Sequence, residues 1–272
     1  MSGRVWVDGR IVPLERASVS VSDLGLLSGR GVFETVRLEG GIPFALGRHL
    51  TRLRRSARVA GIDCIWTDDF LRHTARQVMD SVPEPPITGR LRITLTAGPP
   101  GGPPSLLISA TPSPLPGGPA TVAVSPWPVN ERGPLVGAKT TSRLDYGLAA
   151  DDAHRRGADE AILLNTGGFL VEGATSNLFV VVAGRLSTPS PSTGCLPGVT
   201  RDLVCDLVEV AERHDLTFDD LRLAPEAFLT STTRGVQPIT AVEGVALRSS
   251  PGPLTRAAAA ALENLRATTP DP

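Results

Sequence analysis

The chain has 272 residues with 27 basic and 28 acidic side chains, a net charge of −1, and so lacks the basic excess that a nucleic-acid partner would require. At 41% hydrophobic and 20% charged it is globular rather than disordered, long enough for one large domain or two medium ones. No run of about 18 apolar residues is present and the opening MSGRVWVDGR has no apolar signal stretch, so the sequence predicts a soluble, cytoplasmic protein with no membrane partner.

In chain order, Val5–Val12 reads as a hairpin around Asp8 and Gly9, and Val32–Leu38 alternates as a strand before Gly40 and Gly41 turn it back. Gly47–Ala60 puts Leu50, Leu53, Ala57 and Ala60 on one helical face, Asp68–Met79 is a second helix, and Arg90–Thr96 and Ser105–Ala110 return to strands. The stretch TPSPLPGGPA at residues 111–120 breaks both periodicities and is the expected linker, dividing the chain into an N-terminal α/β domain (1–115) and a C-terminal domain (116–272). Beyond it come strand Thr121–Pro126, helix Arg143–Arg156, strand Glu160–Asn165, a turn at Gly167 and Gly168, and strand Asn177–Val182. Helix Arg201–Arg213, strands near Phe228–Thr232 and Gln237–Val242, and helix Leu254–Arg266 follow, with a frayed tail over Ala267–Pro272.

Cys64, Cys195 and Cys205 form no C-x-x-C pair, and His49, His73, His154 and His214 show no helical metal-ligand spacing, so no disulfide framework and no metal site are expected. The basic residues divide into 26 arginines and one lysine, Lys139. A genome favouring arginine codons would explain that asymmetry; so would a task that a guanidinium cannot perform. Arginine stays protonated, whereas a lysine amine can be lowered by burial to act as a base or a Schiff-base nucleophile. Lys139 sits just before a helix, with Thr140, Thr141 or Ser142 available as its N-cap. Glu172, at a strand end in FLVEGATSN, either caps a turn or, if it faces an aromatic nitrogen, holds that nitrogen protonated. Val199 and Thr200 open a helix after Pro197 and Gly198, where free N–H groups suit an anion, and Ser231, Thr232 and Thr233 could add hydroxyl donors.

These pieces together resemble the fold-type IV pyridoxal-phosphate enzymes, which include D-amino-acid and branched-chain aminotransferases and 4-amino-4-deoxychorismate lyase. The resemblance is carried by DLGLLSGRGVFET at 23–35, the H-x-x-R-L of His49–Leu53, Lys139, GADEAIL at 157–163, the E-G-x-x-S-N of Glu172–Asn177 and LPGVTR at 196–201. It implies a two-domain α+β fold with a smaller N-terminal α/β domain and a larger, barrel-like C-terminal domain that binds pyridoxal 5'-phosphate. It also implies a Schiff base from Lys139, Glu172 at the pyridine nitrogen, and a phosphate cup of Arg52, Val199, Thr200 and Thr232, with Ser231 beside it. Loss of Arg52 is accordingly expected to weaken cofactor retention.

The resemblance further implies a homodimer in which the loop around Ser28–Gly31 reaches the partner's active-site mouth, and small amino-acid and 2-oxo-acid substrates. Leu24, Ser28 and Arg30 depart from the family's usual residues, and the arginine-histidine pair of D-alanine-type enzymes is missing from TAGPPGGPPS. Carboxylate recognition is therefore expected from Arg30 and Arg90, the latter sharing a strand face with Arg92, with Phe33, Thr35 and Thr233 as further substrate contacts. Arg143, in K-x-x-S-R-L, is similar to the lyases. The function expected first is transamination, with a D-amino acid favoured; the lyase and a branched-chain aminotransferase are the alternatives.

Overall fold

Two hairpin strands, β1 (Arg4–Val7) and β2 (Arg10–Pro13), open the structure and turn at Asp8 and Gly9, both at positive φ, as the tight turn between them requires. A short helix α1 (Leu24–Leu27) precedes β3 (Gly31–Glu39) and β4 (Ile42–Pro43), then α2 (Leu46–Val59), α3 (Asp68–Asp80), β5 (Gly89–Thr96) and β6 (Ser105–Pro112). The six strands pair antiparallel in the order β2-β1-β6-β5-β3-β4. Alternation gives this sheet two unlike faces. Val32, Val36 and Leu38 of β3 turn inward with Leu91, Ile93 and Leu95 of β5, covered by Leu46, Leu50, Leu53 and Ala57 of α2 and by Leu71, Ala75 and Val78 of α3. The intervening residues Phe33, Thr35 and Arg37 stand on the other face, opposite Thr94, Arg92 and Arg90 in register.

The computed structural model describes residues 3–83, 85, 88–112, 114 and 117–272, and the chain separates into two units. The first is Met1–Leu115 with Ala138–Ser142 and Thr269–Pro272; the second is Pro116–Gly137 with Arg143–Thr268. The segment carrying Lys139 and the chain's last residues thus pack with the first unit, which local sequence patterns did not foretell. The expected fraying of the tail is corrected by the same packing. Ala45, the N-cap of α2, has φ +56° and no side-chain cap. Its helix end is satisfied instead by Asp271, whose Oδ1 accepts from the Gly47 N–H at 2.7 Å while Oδ2 accepts from Arg72 Nη1 at 2.8 Å. A carboxylate at a helix start meets unpaired N–H groups and a favourable dipole, which gives the tail a reason to dock.

In the second unit β7 (Ala120–Val124), α4 (Leu144–Arg155), β8 (Glu160–Leu164), β9 (Leu170–Gly173), β10 (Asn177–Val182) and β11 (Arg185–Pro189) are followed by α5 (Val199–Leu207), β12 (Ala211–Arg213) and α6 (Phe218–Arg222). Then come β13 (Ala227–Ser231), β14 (Gly235–Val242), β15 (Val245–Ala246) and α7 (Pro253–Thr268). The mixed nine-stranded sheet runs β12-β11-β10-β13-β14-β7-β8-β9, with β15 on β14. The fold is α+β in two units. Helix Arg201–Arg213 is shorter than expected: it stops at Leu207, Val208 is extended, and residues 211–213 pair parallel with β11, as β-branched Val208 and Val210 favour. The N-cap of α4 is Arg143, with no side-chain capping bond, rather than Thr140, Thr141 or Ser142. Among the described residues no helix is long and apolar enough to cross a membrane, and no cluster of His, Cys, Asp and Glu could hold a metal.

Candidate active site

Lys139 is fixed by its backbone before its side chain is considered. The Phe33 N–H donates to its carbonyl at 3.0 Å, its own N–H donates to Ser56 Oγ of α2 at 3.0 Å, and Thr141 N–H donates to the Gly31 carbonyl at 2.8 Å. The lysine segment therefore runs as a short bridge along the start of β3, with Thr140 paired to Val32. Nζ lies 4.7 Å from the Phe33 ring centroid, and the Arg92 guanidinium carbon lies 3.9 Å from the same centroid. The two cations are thus no farther apart than the sum of those distances. Phe33, expected as a substrate contact, is the surface on which both rest.

Behind this face, Glu34 points into the apolar side of the sheet and is fully buried. An ionised carboxylate there needs partners, and α2 supplies two on one face, three residues apart. Arg52 Nε and Nη2 donate to Oε1 and Oε2 at 2.8 and 2.7 Å, and His49 Nδ1 lies 2.7 Å from Oε2. Burial would raise the Glu34 carboxyl, but the Arg52 charge and the hydrogen bonds from Arg52 and His49 outweigh it and hold the group at about 2. His49 is drawn down, by burial first and by the Arg52 and Lys139 charges, against the raising hydrogen bond and charge of Glu34, so a neutral imidazole donating from Nδ1 fits the pair. Sequence reasoning found Arg52 and overlooked Glu34, although its inward place in the alternation V-F-E-T-V was a usable signal.

In the second unit Glu172 is the penultimate residue of β9, buried, opposite Leu163 in the pair with β8. Its Oε1 accepts from the Tyr146 hydroxyl at 3.2 Å, and its Oε2 from Asn177 Nδ2 at 3.2 Å and the Leu196 N–H at 3.0 Å. Hydrogen bonds of this kind favour the charged carboxylate, which is the form a protonated aromatic nitrogen needs. Tyr146 was not among the expected site residues.

The start of α5 has Gly198 as N-cap with no side-chain cap, so the first N–H groups, those of Val199 and Thr200, point out of the helix as anion donors. Both residues are buried. A Cβ on Gly198 would stand 1.9 Å from Asn177 Oδ1, and Asn177 cannot yield because its Nδ2 is held by Glu172 and by the Leu196 carbonyl. Gly198→Ala is therefore expected to cost roughly 1–3 kcal/mol of stability, the usual penalty of overpacking; an unchanged thermal midpoint would contradict this geometry. Opposite Asn177 in the β10–β13 register, Thr230 Oγ1 is buried with no hydrogen-bond partner among the described residues. Thr232 and Thr233 lie in the turn after β13, while the Ser231 hydroxyl accepts from the Arg234 N–H and Nε at 3.3 Å. Within the second unit, a carboxylate held by three donors and uncapped N–H groups suit the ring nitrogen and the phosphate of pyridoxal phosphate, and within the first unit the Lys139 amine suits its aldehyde.

Among the expected substrate contacts, Arg30 is exposed and its Nη2 donates to the Gly61 carbonyl at 3.2 Å. Thr35 is half-buried beside Arg92 in register, and Arg90 is exposed opposite Arg37. Arg143 lies 3.7 Å over the Tyr146 ring and donates to the Ala174 carbonyl at 3.3 Å. The three thiols are not equally buried: Cys195 is, whereas Cys64 and Cys205 are intermediate. Burial pushes Cys195 up to about 12 and Cys205 to about 11, so neither is a nucleophile at neutral pH.

Residues 31–242 match the model of the class IV aminotransferases, and the chain belongs to that family of pyridoxal-phosphate enzymes. It is 30% identical to the D-alanine aminotransferase of Bacillus licheniformis over 275 residues, covering 96% of each chain. It is also similar to solved branched-chain aminotransferases. For that of Escherichia coli the TM-score is 0.89 at 28% identity, covering 97% of this chain and 95% of the other. For that of Thermoproteus uzoniensis it is 0.88 at 32%, with the same coverage.

Proposed function

We propose that the protein moves an amino group between an α-amino acid and a 2-oxo acid, with Lys139 as the catalytic residue. The observation that carries this reading is the fixing of the chain's only lysine by main-chain bonds to β3 and α2, with its amine on the ring of Phe33. When bound, pyridoxal phosphate supplies an electron-accepting ring joined to the carbon that takes up the amino group. Lys139 would hold that carbon through its amine and, as a free amine, would move the proton at substrate Cα. Glu172 would hold a negative charge for the ring nitrogen, and Val199, Thr200 and Thr232, with Ser231 and Arg52, would hold the phosphate.

Register favours one of the two strand arginines as the substrate cation. Phe33, Thr35 and Arg37 face Thr94, Arg92 and Arg90 in turn, so Arg90 stands one step, about 7 Å, farther along the sheet from Lys139 than Arg92 does. Arg92 takes the carboxylate role in this reading, in place of Arg90, and Arg30, anchored on Gly61, is assigned to the entrance. Arg92→Ala is expected to raise KM for an α-amino acid on the order of ten-fold, discounted for partial exposure, and Arg90→Ala to change it less than about three-fold. Steady-state kinetics with a carboxylate-free primary amine as control decides this; equal effects of the two variants would return the role to Arg90.

The transaminase reading is favoured over the lyase because Arg143, the residue similar to the lyases, is engaged by Tyr146 and Ala174. The D-amino-acid preference is supported by end-to-end likeness to a D-alanine aminotransferase, and the L-branched-chain alternative by the solved structures. Incubation with D-alanine, L-leucine, an (R)-amine and aminodeoxychorismate separates the readings, with 2-oxo-acid formation from D-alanine as the expected outcome. A homodimer belongs to this reading: Leu26 and Leu27, beside Arg30, are 65% and 63% exposed, as a partner-facing loop would be. Sedimentation of a fully active monomer would remove Arg30 from the site.

A further inference from the structure

The chain contains a single tyrosine, Tyr146, near the start of α4, where it packs against the cluster of Ala123, Ala149, Leu163 and Val171. Its hydroxyl donates to Glu172 Oε1 at 3.2 Å. Its ring is covered by the Arg143 guanidinium at 3.7 Å, and Arg143 is itself anchored by the Ala174 carbonyl, two residues beyond Glu172. A cation over the ring draws electron density from the phenol and makes its O–H a better donor. The hydroxyl thus faces the carboxylate under conditions that strengthen their hydrogen bond.

We infer that Tyr146 is a positioning residue for Glu172: its hydroxyl orients Oε1 and keeps the carboxylate ionised, so that its charge faces the ring nitrogen while Lys139 moves the substrate proton. The inference rests on the role of Glu172 proposed above. A carboxylate beside a protonated ring nitrogen can take that proton, which passes from nitrogen to a Glu172 oxygen and leaves both groups neutral. Each donor on the carboxylate opposes this transfer, because it stabilises the charged form. Asn177 and the Leu196 N–H donate to Oε2, and Tyr146 donates to Oε1. The groups facing the phenol are Glu172 from β9 and Arg143 and Asp145 at the start of α4. Burial first, then the Glu172 charge, push the phenol well above its ordinary value, so it stays a donor and does not itself ionise.

One tyrosine makes the test clean, since tyrosine labelled with carbon-13 at Cζ gives a single site in the full-length protein. Titration by NMR, with and without pyridoxal phosphate, is expected to show wild-type Tyr146 protonated past the ordinary value of about 10, and Glu172→Gln titrating back toward it. Tyr146→Phe is expected to slow exchange of the substrate Cα hydrogen roughly ten-fold, the worth of one hydrogen bond to a charged group, with pyridoxal phosphate affinity changed less than about two-fold. Identical titration in wild type and Glu172→Gln, or a wild-type exchange rate in Tyr146→Phe, overturns the inference alone. Failure of the wild-type protein to bind pyridoxal phosphate overturns the functional reading with it, while the titration without cofactor still reports whether the Tyr146–Glu172 contact exists.

Discussion

Lys139→Ala is expected to lower turnover by at least about 10²–10⁴-fold, the range that a lost general acid–base group spans, and to abolish covalent retention of pyridoxal phosphate. Two properties make the effect large. The other basic residues are all arginines, which cannot supply a neutral amine near neutral pH, so no neighbour substitutes. The backbone that positions the lysine, bonded to Phe33 and to Ser56, does not depend on the side chain, so the variant should fold as the wild type does. Absorbance spectroscopy of the protein mixed with pyridoxal phosphate checks this: the wild type should turn yellow and lose the colour with hydroxylamine, and the variant should stay at the spectrum of the free cofactor.

The second large effect is on stability. Arg52→Ala removes the cation that neutralises Glu34 in the apolar layer between β3 and α2, leaving a fully buried carboxylate with His49 as its neighbour. Breaking one partner of a buried pair costs about 3–5 kcal/mol, so the variant should unfold at much lower urea than wild type, before any question of cofactor retention arises. Glu34→Gln in the Arg52→Ala background should recover part of the loss, because it removes the stranded charge. A similar logic fixes the acid sensitivity of the wild type. Glu34 has a folded value of about 2 against an ordinary 4.5, so its contribution is fully present above about 4.5 and is lost as the pH falls toward 2. Urea unfolding from pH 6 to pH 2.5 should show that decline, and an Arg52→Ala protein within about 1 kcal/mol of wild type at neutral pH would show that Glu34 is not held as described.

What the sequence made legible was governed by neighbours along the chain. The spacing of Leu50, Leu53 and Ala57 marked the covered face of α2, the alternation through Val32, Val36 and Leu38 marked β3, and the run Asn177–Val182 marked β10. Lys139 and Glu172 were found through motifs whose residues are adjacent. The rest depends on contacts that no local pattern encodes. Ala138–Ser142 joins the first unit through bonds to Gly31 and Phe33, more than a hundred residues earlier, and Asp271 caps α2 from the far end of the chain. β11 escaped notice because Arg185–Pro189 has little apolar alternation, and its buried Ser187 and Thr188 lie in a strand paired with β10 on one side and β12 on the other. Glu34 was visible as a charge at an inward position, yet its meaning needed α2 to bring His49 and Arg52 against it. Tyr146 had no periodic signal, and its role appears only when the end of β9 is seen beside α4.

The most direct measurement is reductive trapping. Protein incubated with pyridoxal phosphate is treated with borohydride, which converts the linkage between amine and aldehyde into a stable secondary amine, and its peptides are then mapped by mass spectrometry. The single adduct should lie on Lys139, and prior incubation with an accepted amino donor should prevent it by releasing the lysine. An adduct elsewhere in the chain, or none, would contradict the assignment of Lys139 as the residue that carries the cofactor and moves the substrate proton.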